Sequence, residues 1–414
     1  MNERQGRSPV GSDAARFRRR RVVAVAVALA AAAAVVIAAL SLGSGSPGGH
    51  FALGGPGSGV SVLGAPGATQ ARAPGVPVAR FKPRPAAVAL AGAMPLKRQV
   101  AQLFMVGVAG SSGPGADGVD WGGFVLGASN FVSASQLAGL ASALSSSVAT
   151  GGVAPLIAAT QEGGQATAFQ GLPPESEAAV GATGQPALAR SQALLAGKRL
   201  RELGVNMTLA PLADVDTPGG PLSGRLFGTD PHAVGRFSVA AVRGYATAGV
   251  ISAVGHFPGT GDASADPDQM TATVGGSLAS LRAHDLIPFA AVAPEAPVIL
   301  MSNASYTAFD GVTPAGLLGQ AVSVLRNDYG FGGAVMSDDL DAALQATGSD
   351  VGAAAVQALG AGDDLIYVGG GASERQAAYS AVLAAARSSP SVRAKVREAL
   401  LRVLSLKVRF GLAH

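Results

Sequence analysis

Ile251-Ser252-Ala253-Val254-Gly255 is a short, largely apolar run that leads straight into a polar loop, His256-Phe257-Pro258-Gly259-Thr260-Gly261-Asp262-Ala263-Ser264-Ala265-Asp266-Pro267-Asp268. A continuous apolar run suits a strand buried on both faces, as in a parallel sheet. Seven further runs share the pattern: Leu103–Gly107, Gly123–Leu126, Pro155–Ala159, Asn206–Ala210, Pro297–Met301, Gly333–Ser337 and Asp364–Val368. Alanine-rich helical stretches alternate with them: Ser135–Val148, Pro186–Leu203, Pro231–Ala248, Ser277–Val292, Pro314–Asp328, Ser349–Leu359, Ala372–Arg387 and Ser391–Phe410. Asp230-Pro231 and Thr313-Pro314 have the form of helix starts, a capping residue before a proline. Eight βα units predict an α/β fold, a (β/α)8 TIM barrel over residues 94–414; a doubly wound open sheet is the rival.

The chain has 414 residues, with 58 Gly, 25 Pro, no Cys and a net charge of +4. Without cysteine there is no disulfide framework, thiolate metal site or cysteine nucleophile. The positive charge is concentrated at the N-terminal end, where residues 1–93 hold eleven basic and two acidic side chains. The remaining 19 basic and 24 acidic residues leave the predicted barrel at −5, which argues against a nucleic-acid partner.

Residues 1–21 read as a cytoplasmic basic tail ending in the block Arg18–Arg21. Val22 to Leu42 follows, with Ser41 its only polar residue, long enough at about 31 Å of helix to cross a membrane. The segment reads as a transmembrane anchor, with a cleaved signal sequence as the alternative; both predict an extracytoplasmic domain. Residues 43–93, with 12 Gly, 7 Pro and no acid, read as a disordered linker.

In a barrel, chemistry collects where strands end. Glu162 follows the third run, Asp214 and Asp216 the fourth, Asp262, Asp266 and Asp268 the fifth, and Asp338 and Asp339 the seventh. His256 is the only histidine at a strand end, so a histidine-based metal site is not expected, and no cofactor is. No Gly-x-Ser-x-Gly elbow supports a serine hydrolase, and no Gly-x-Gly-x-x-Gly a dinucleotide site. Paired carboxyl groups across a cleft are what glycoside hydrolysis requires. Asp339 reads as a capping residue, Asp214 as structural at the rim, and Trp121 as packing at the end opposite the chemistry.

Gly255–Asp268 is similar to the Lys-His-Phe-Pro-Gly-His-Gly-Asp-Thr-x-x-Asp-Ser-His segment of family 3 glycoside hydrolases of the bacterial β-N-acetylglucosaminidase type. Gln161-Glu162-Gly163-Gly164, Leu203–Pro211, Arg225–Pro231 and Ser337-Asp338-Asp339-Leu340 resemble further motifs of that family in the same order. The resemblance spans residues 94–410 and implies Asp338 as nucleophile, Asp268 or Asp266 as acid/base, and His256, Arg225, Glu162 and Asn303 as sugar contacts. It also implies a carbohydrate substrate bearing β-linked N-acetylhexosamine, as in cell-wall fragments.

Several positions depart from the pattern. Asp268 stands where the family has the His of an Asp–His dyad, Gly255 replaces a Lys, Thr160 an Asp, Gln165 an Arg, and Asn303 a His. A hydrolase using Asp268 as its acid is the first expectation. A catalytically degenerate barrel acting as a cell-surface sugar-binding protein is the second.

Overall fold

The computed structural model describes residues 81–414 apart from 112–117, 149–150 and 349. The basic tail 1–21, the anchor segment 22–42 and residues 43–80 of the linker lie outside the described residues. Each of the eight apolar runs contains a strand: β1 Phe104–Gly107, β2 Gly123–Leu126, β3 Leu156–Ala159, β4 Met207–Thr208, β5 Ile251–Phe257, β6 Val298–Met301, β7 Ala334–Met336 and β8 Ile366–Val368. Nearly every residue in them is buried, which is why they read as unbroken apolar runs.

All the pairings are parallel, and β1 to β7 lie side by side in chain order with β8 against β1. A parallel bridge between Met336 and Leu365 joins β7 to the start of β8, so the sheet closes into the expected barrel rather than an open sheet. Buried apolar residues of the strands pack together with the helices between them.

Of the two expected helix starts, Asp230-Pro231 opens a capped helix, whereas Thr313-Pro314 leads into a short 3-10 turn with no side-chain cap. Asp230 accepts from the His232 backbone N at 3.0 Å with Pro231 in the first turn, and Ser389 does the same for Val392 at 3.4 Å ahead of Pro390. The stretch Pro314–Asp328 departs from a single helix. The backbone N–H groups of Ala315 and Gly316 are drawn to the carbonyls of Ala304 and Ser302, leaving a short helix Gly319–Ser323 and a π turn Val324–Asp328.

The linker reading is corrected at its C-terminal end. Residues Pro85–Ala93 form a helix packed on the helix Pro390–Arg409, with Ala87 and Ala91 fully buried. Arg84 N donates to Ser405 Oγ at 3.1 Å, and the Arg402 guanidinium lies 4.9 Å from the centre of the Phe81 ring. Alanine, the best helix former, gives this segment an apolar face narrow enough to sit close against a neighbouring helix. The folded domain therefore includes residues 81–93.

The helix Pro390–Arg409 closes the end of the barrel where strands begin. Lys407 is wholly buried there, and its Nζ donates to Gln102 Oε1 at 2.7 Å and Gly122 O at 2.8 Å, beside the starts of β1 and β2. Burial, with Arg98 nearby, pulls this ammonium down to about 7. Asp364, before β8, accepts from Arg326 Nη2 at 2.6 Å and from Val335 N at 2.9 Å. Trp121 stacks edge-on with Phe104 and Tyr379 at the same end, a packing role as expected.

If residues 81–93 belong to the domain, a chain starting at residue 94 should melt lower than one starting at residue 81 by more than about 5 °C. Equal melting temperatures by calorimetry would return this segment to the linker.

Candidate active site

The opposite end, where strands finish, holds a pocket. It is lined by Thr160 and Glu162 after β3, Leu209 after β4, His256 in β5, Asp268 in the loop beyond, Leu300 in β6, Asp338 and Asp339 after β7, and Tyr367 in β8. Six of the eight strands or their ends thus converge on one cavity, as the fold dictates.

Asp338 stands two residues past β7 and is 7% exposed. Its Oδ1 accepts from the Asp339 backbone N at 2.8 Å, while Oδ2 is buried without a protein partner. Burial, reinforced by the neighbouring Asp268 carboxylate, raises its proton affinity well above the usual carboxyl range; His256 and the Asp339 N–H act in the other direction.

Asp339 holds the turn that presents Asp338. Its Oδ1 accepts from Asp341 N at 3.1 Å, capping the helix Leu340–Thr347, and from Gly369 N at 2.8 Å. Burial pushes this carboxyl up to about 6. Gly369 can only be glycine as packed, because a Cβ there would lie 2.0 Å from Asp339 Oδ2. Ser337 Oγ accepts from Tyr367 N at 2.9 Å, tying the end of β7 to β8.

His256 is 6% exposed and held by Asp214, which is fully buried. Asp214 Oδ2 accepts from the His256 backbone N at 3.0 Å and lies 2.9 Å from Nδ1. Its Oδ1 accepts from Thr260 N at 2.6 Å and Thr260 Oγ1 at 2.7 Å. Burial alone would lower the imidazole, but Asp214, helped by Asp338 and Asp268, raises it to about 10. Conversely, Asp214 is held below its usual range despite burial, because His256 and Thr260 favour the anion. The pair is an imidazolium–carboxylate at neutral pH, with one imidazolium edge toward the pocket.

Three expected sugar contacts have other partners. Arg225 and Glu162 form a two-pronged ion pair, Nε to Oε2 and Nη2 to Oε1, both at 2.8 Å. Arg225 Nη1 also lies 3.6 Å from Asp266 Oδ2, within ion-pair range but beyond hydrogen-bond distance. Glu162 still lines the pocket, whereas Arg225 braces its wall. Asn303 Nδ2 donates to the Asp339 carbonyl at 2.8 Å, so it supports the Asp338 turn.

The two acid/base candidates separate. Asp268 is exposed at the mouth and lines the pocket. Asp266 is held by Arg225 and accepts from Asp268 N at 3.1 Å and Gln269 Nε2 at 2.9 Å, which shapes the loop carrying Asp268. The structure thus brings together Asp338, Asp268, His256 and Glu162, and assigns supporting roles to Asp266, Arg225 and Asn303.

Two residues gain importance over the sequence reading. Asp214 is the partner of His256, and its place just beyond a strand end was the available signal. Tyr367 has its hydroxyl raised by burial and by the surrounding Asp339, Asp338 and Asp268; a tyrosine inside a strand carried no signal of its own. At Gly255, a Cβ would meet Leu300 Cδ2 at 3.3 Å, so Leu300 covers the wall where the family pattern has a lysine.

Comparison with known proteins agrees with the barrel fold. Residues 96–406 match the Glycosyl hydrolase family 3 N terminal domain. A β-hexosaminidase of Stenotrophomonas maltophilia is 32% identical over 282 residues, covering 64% of this chain and 83% of that protein. The family 3 β-N-acetylglucosaminidase structure from Paenibacillus sp. superposes with a TM-score of 0.72 at 32% identity, over 77% of this chain and 63% of that one. The Mycobacterium tuberculosis LpqI structure gives 0.69 at 26% identity, over 80% and 98%.

The ion pair makes a measurable prediction. An unfolded imidazole releases its proton near about 6.5, so the stability from His256 is complete below that pH and is lost as pH rises towards about 10. In Asp214→Asn, the His256 titration followed by NMR should fall to about 6.5 or lower, because burial then acts with less opposition. The stability gap between the natural protein and His256→Gln should narrow over the same alkaline window. A His256 titration unmoved by Asp214→Asn would refute this account of the pair.

Proposed function

Because the chain belongs to glycosyl hydrolase family 3 and is therefore a glycosyl hydrolase, we propose that it removes β-linked N-acetylhexosamine with retention of configuration, using Asp338 as nucleophile. The observation that carries the proposal is the buried Asp338 carboxyl, with one oxygen unpartnered, in a pocket shared with Asp268. The β-hexosaminidase and β-N-acetylglucosaminidase names of the relatives support the substrate class.

In the first step, an Asp338 oxygen bonds to the anomeric carbon as the glycosidic C–O bond breaks. Asp268 gives its proton to the leaving oxygen, and the aglycone departs as an alcohol. In the second, Asp268 takes a proton from water whose oxygen attacks the anomeric carbon, the bond to Asp338 breaks, and the sugar leaves. The first step needs Asp338 as the anion and Asp268 as the acid. The His256 imidazolium favours the anion on Asp338 and offers an N–H to a sugar hydroxyl.

The wider proposal is an exported enzyme held at the cell membrane through residues 22–42 and acting on cell-wall fragments. It rests on the arginine block and the apolar run. Among the described residues no helix is long and apolar enough to cross a membrane.

Hydrolysis of aryl and natural β-N-acetylglucosaminides tests the mechanism. Asp338→Asn should lose at least about 10³-fold in kcat on both. Asp268→Asn should lose about 10²–10⁴-fold on natural substrates and much less on aryl glycosides with good leaving groups. Turnover indifferent to Asp338→Asn would remove it as nucleophile. Sugar binding without turnover of any glycoside would favour the degenerate, sugar-binding barrel.

A further inference from the structure

The end of the barrel opposite the pocket carries the charge missing from the rest of the domain. The helix Pro390–Arg409 has six basic residues and one acid, although the chain beyond residue 93 is net negative. Lys407 points inward and Arg402 is partly covered, while Lys395, Arg397 and Arg409 are exposed. Lys82 and Arg84 are also exposed and border the same face, lining a groove with Arg409 beside the starts of β6 and β7. The acid of this helix, Glu398, is already paired with Arg402 at 2.9 Å. The surface therefore presents a cluster of cations whose neighbouring carboxylate is neutralised.

Phe81, the first described residue, enters the domain at this face, against Arg402. The 38 residues between Leu42 and Phe81 thus join the proposed anchor to the basic end of the barrel. We propose that this end docks on the anionic phospholipid headgroups of the membrane carrying the anchor, and holds the pocket facing away from it. The inference rests on the anchoring proposed above. Each exposed Lys or Arg near an anionic surface adds attraction that fades beyond a Debye length of about 10 Å. Tethering supplies the local concentration that lets a modest cluster act.

The full chain in lipid nanodiscs tests this, with discs of phosphatidylcholine alone compared with discs containing phosphatidylglycerol. Retention in the discs after alkaline carbonate reports the anchor. Acylation rates at Lys82 and Lys395, read by mass spectrometry, report docking, with the same lysines on phosphatidylcholine discs as the control. On phosphatidylglycerol the two lysines should react at least about threefold more slowly, and high salt should restore the rate. The double variant Arg397→Glu, Arg409→Glu should lose the protection of Lys82 while keeping turnover of soluble substrates.

Retention with equal rates on both lipids would overturn docking and leave anchoring intact. Loss of retention would overturn the anchoring reading and the docking with it. Protection by soluble polyphosphate but not by phosphatidylglycerol would overturn the lipid assignment in favour of a soluble polyanion.

Discussion

A carboxylate with no exposed surface organises the catalytic end of this barrel. Asp214 leaves water on folding, and its charge is stable there only because His256 and Thr260 supply four donors. Breaking such a buried pair typically costs about 3–5 kcal/mol, since one charge is left uncompensated. The same contacts fold the loop after β5 back on the end of β4, where Gly261 would place a Cβ only 1.7 Å from Val215 O. They also fix a positive imidazolium beside Asp338. Loop conformation, histidine charge and the field at the Asp338 carboxyl are therefore consequences of one ion pair.

Strands were legible where burial is total on both faces, because such segments admit little but apolar residues. The helix Pro85–Ala93 was not, since Pro and Ala there continue the composition of the linker and only the partner helix distinguishes them. Asp338, His256 and Asp268 were legible from their place at strand ends and from the resemblance they carry. The pairings were not: Arg225 meets Glu162 from 63 residues away, and His256 meets Asp214 from 42. Read singly, Arg225 and Glu162 look like free groups at a rim. In the fold, two parallel hydrogen bonds join them to each other.

The departures from the family pattern take on physical form in the pocket. Gly255 and Thr160 remove charged groups from the wall, and Leu300 offers apolar surface beside the first of them. Asp268 adds a carboxyl at the mouth, so the cavity is more anionic and less rich in donors than the pattern implies. Thr160, His256 and Tyr367 are the side chains lining the pocket that can donate to hydroxyl groups, beside its carboxylates.

Gly369 gives the site a narrow tolerance on one side. A methyl group there would drive into Asp339, whose backbone N–H holds Asp338 and whose carbonyl is held by Asn303. A change at Gly369, just past β8, would thus reach Asp338, just past β7, without touching it. Leu300 lines the pocket from β6, the strand paired with β7, where it is in register with Met336. Substitution at Gly369 would therefore be transmitted to the Asp338 turn even with every pocket-lining residue unchanged.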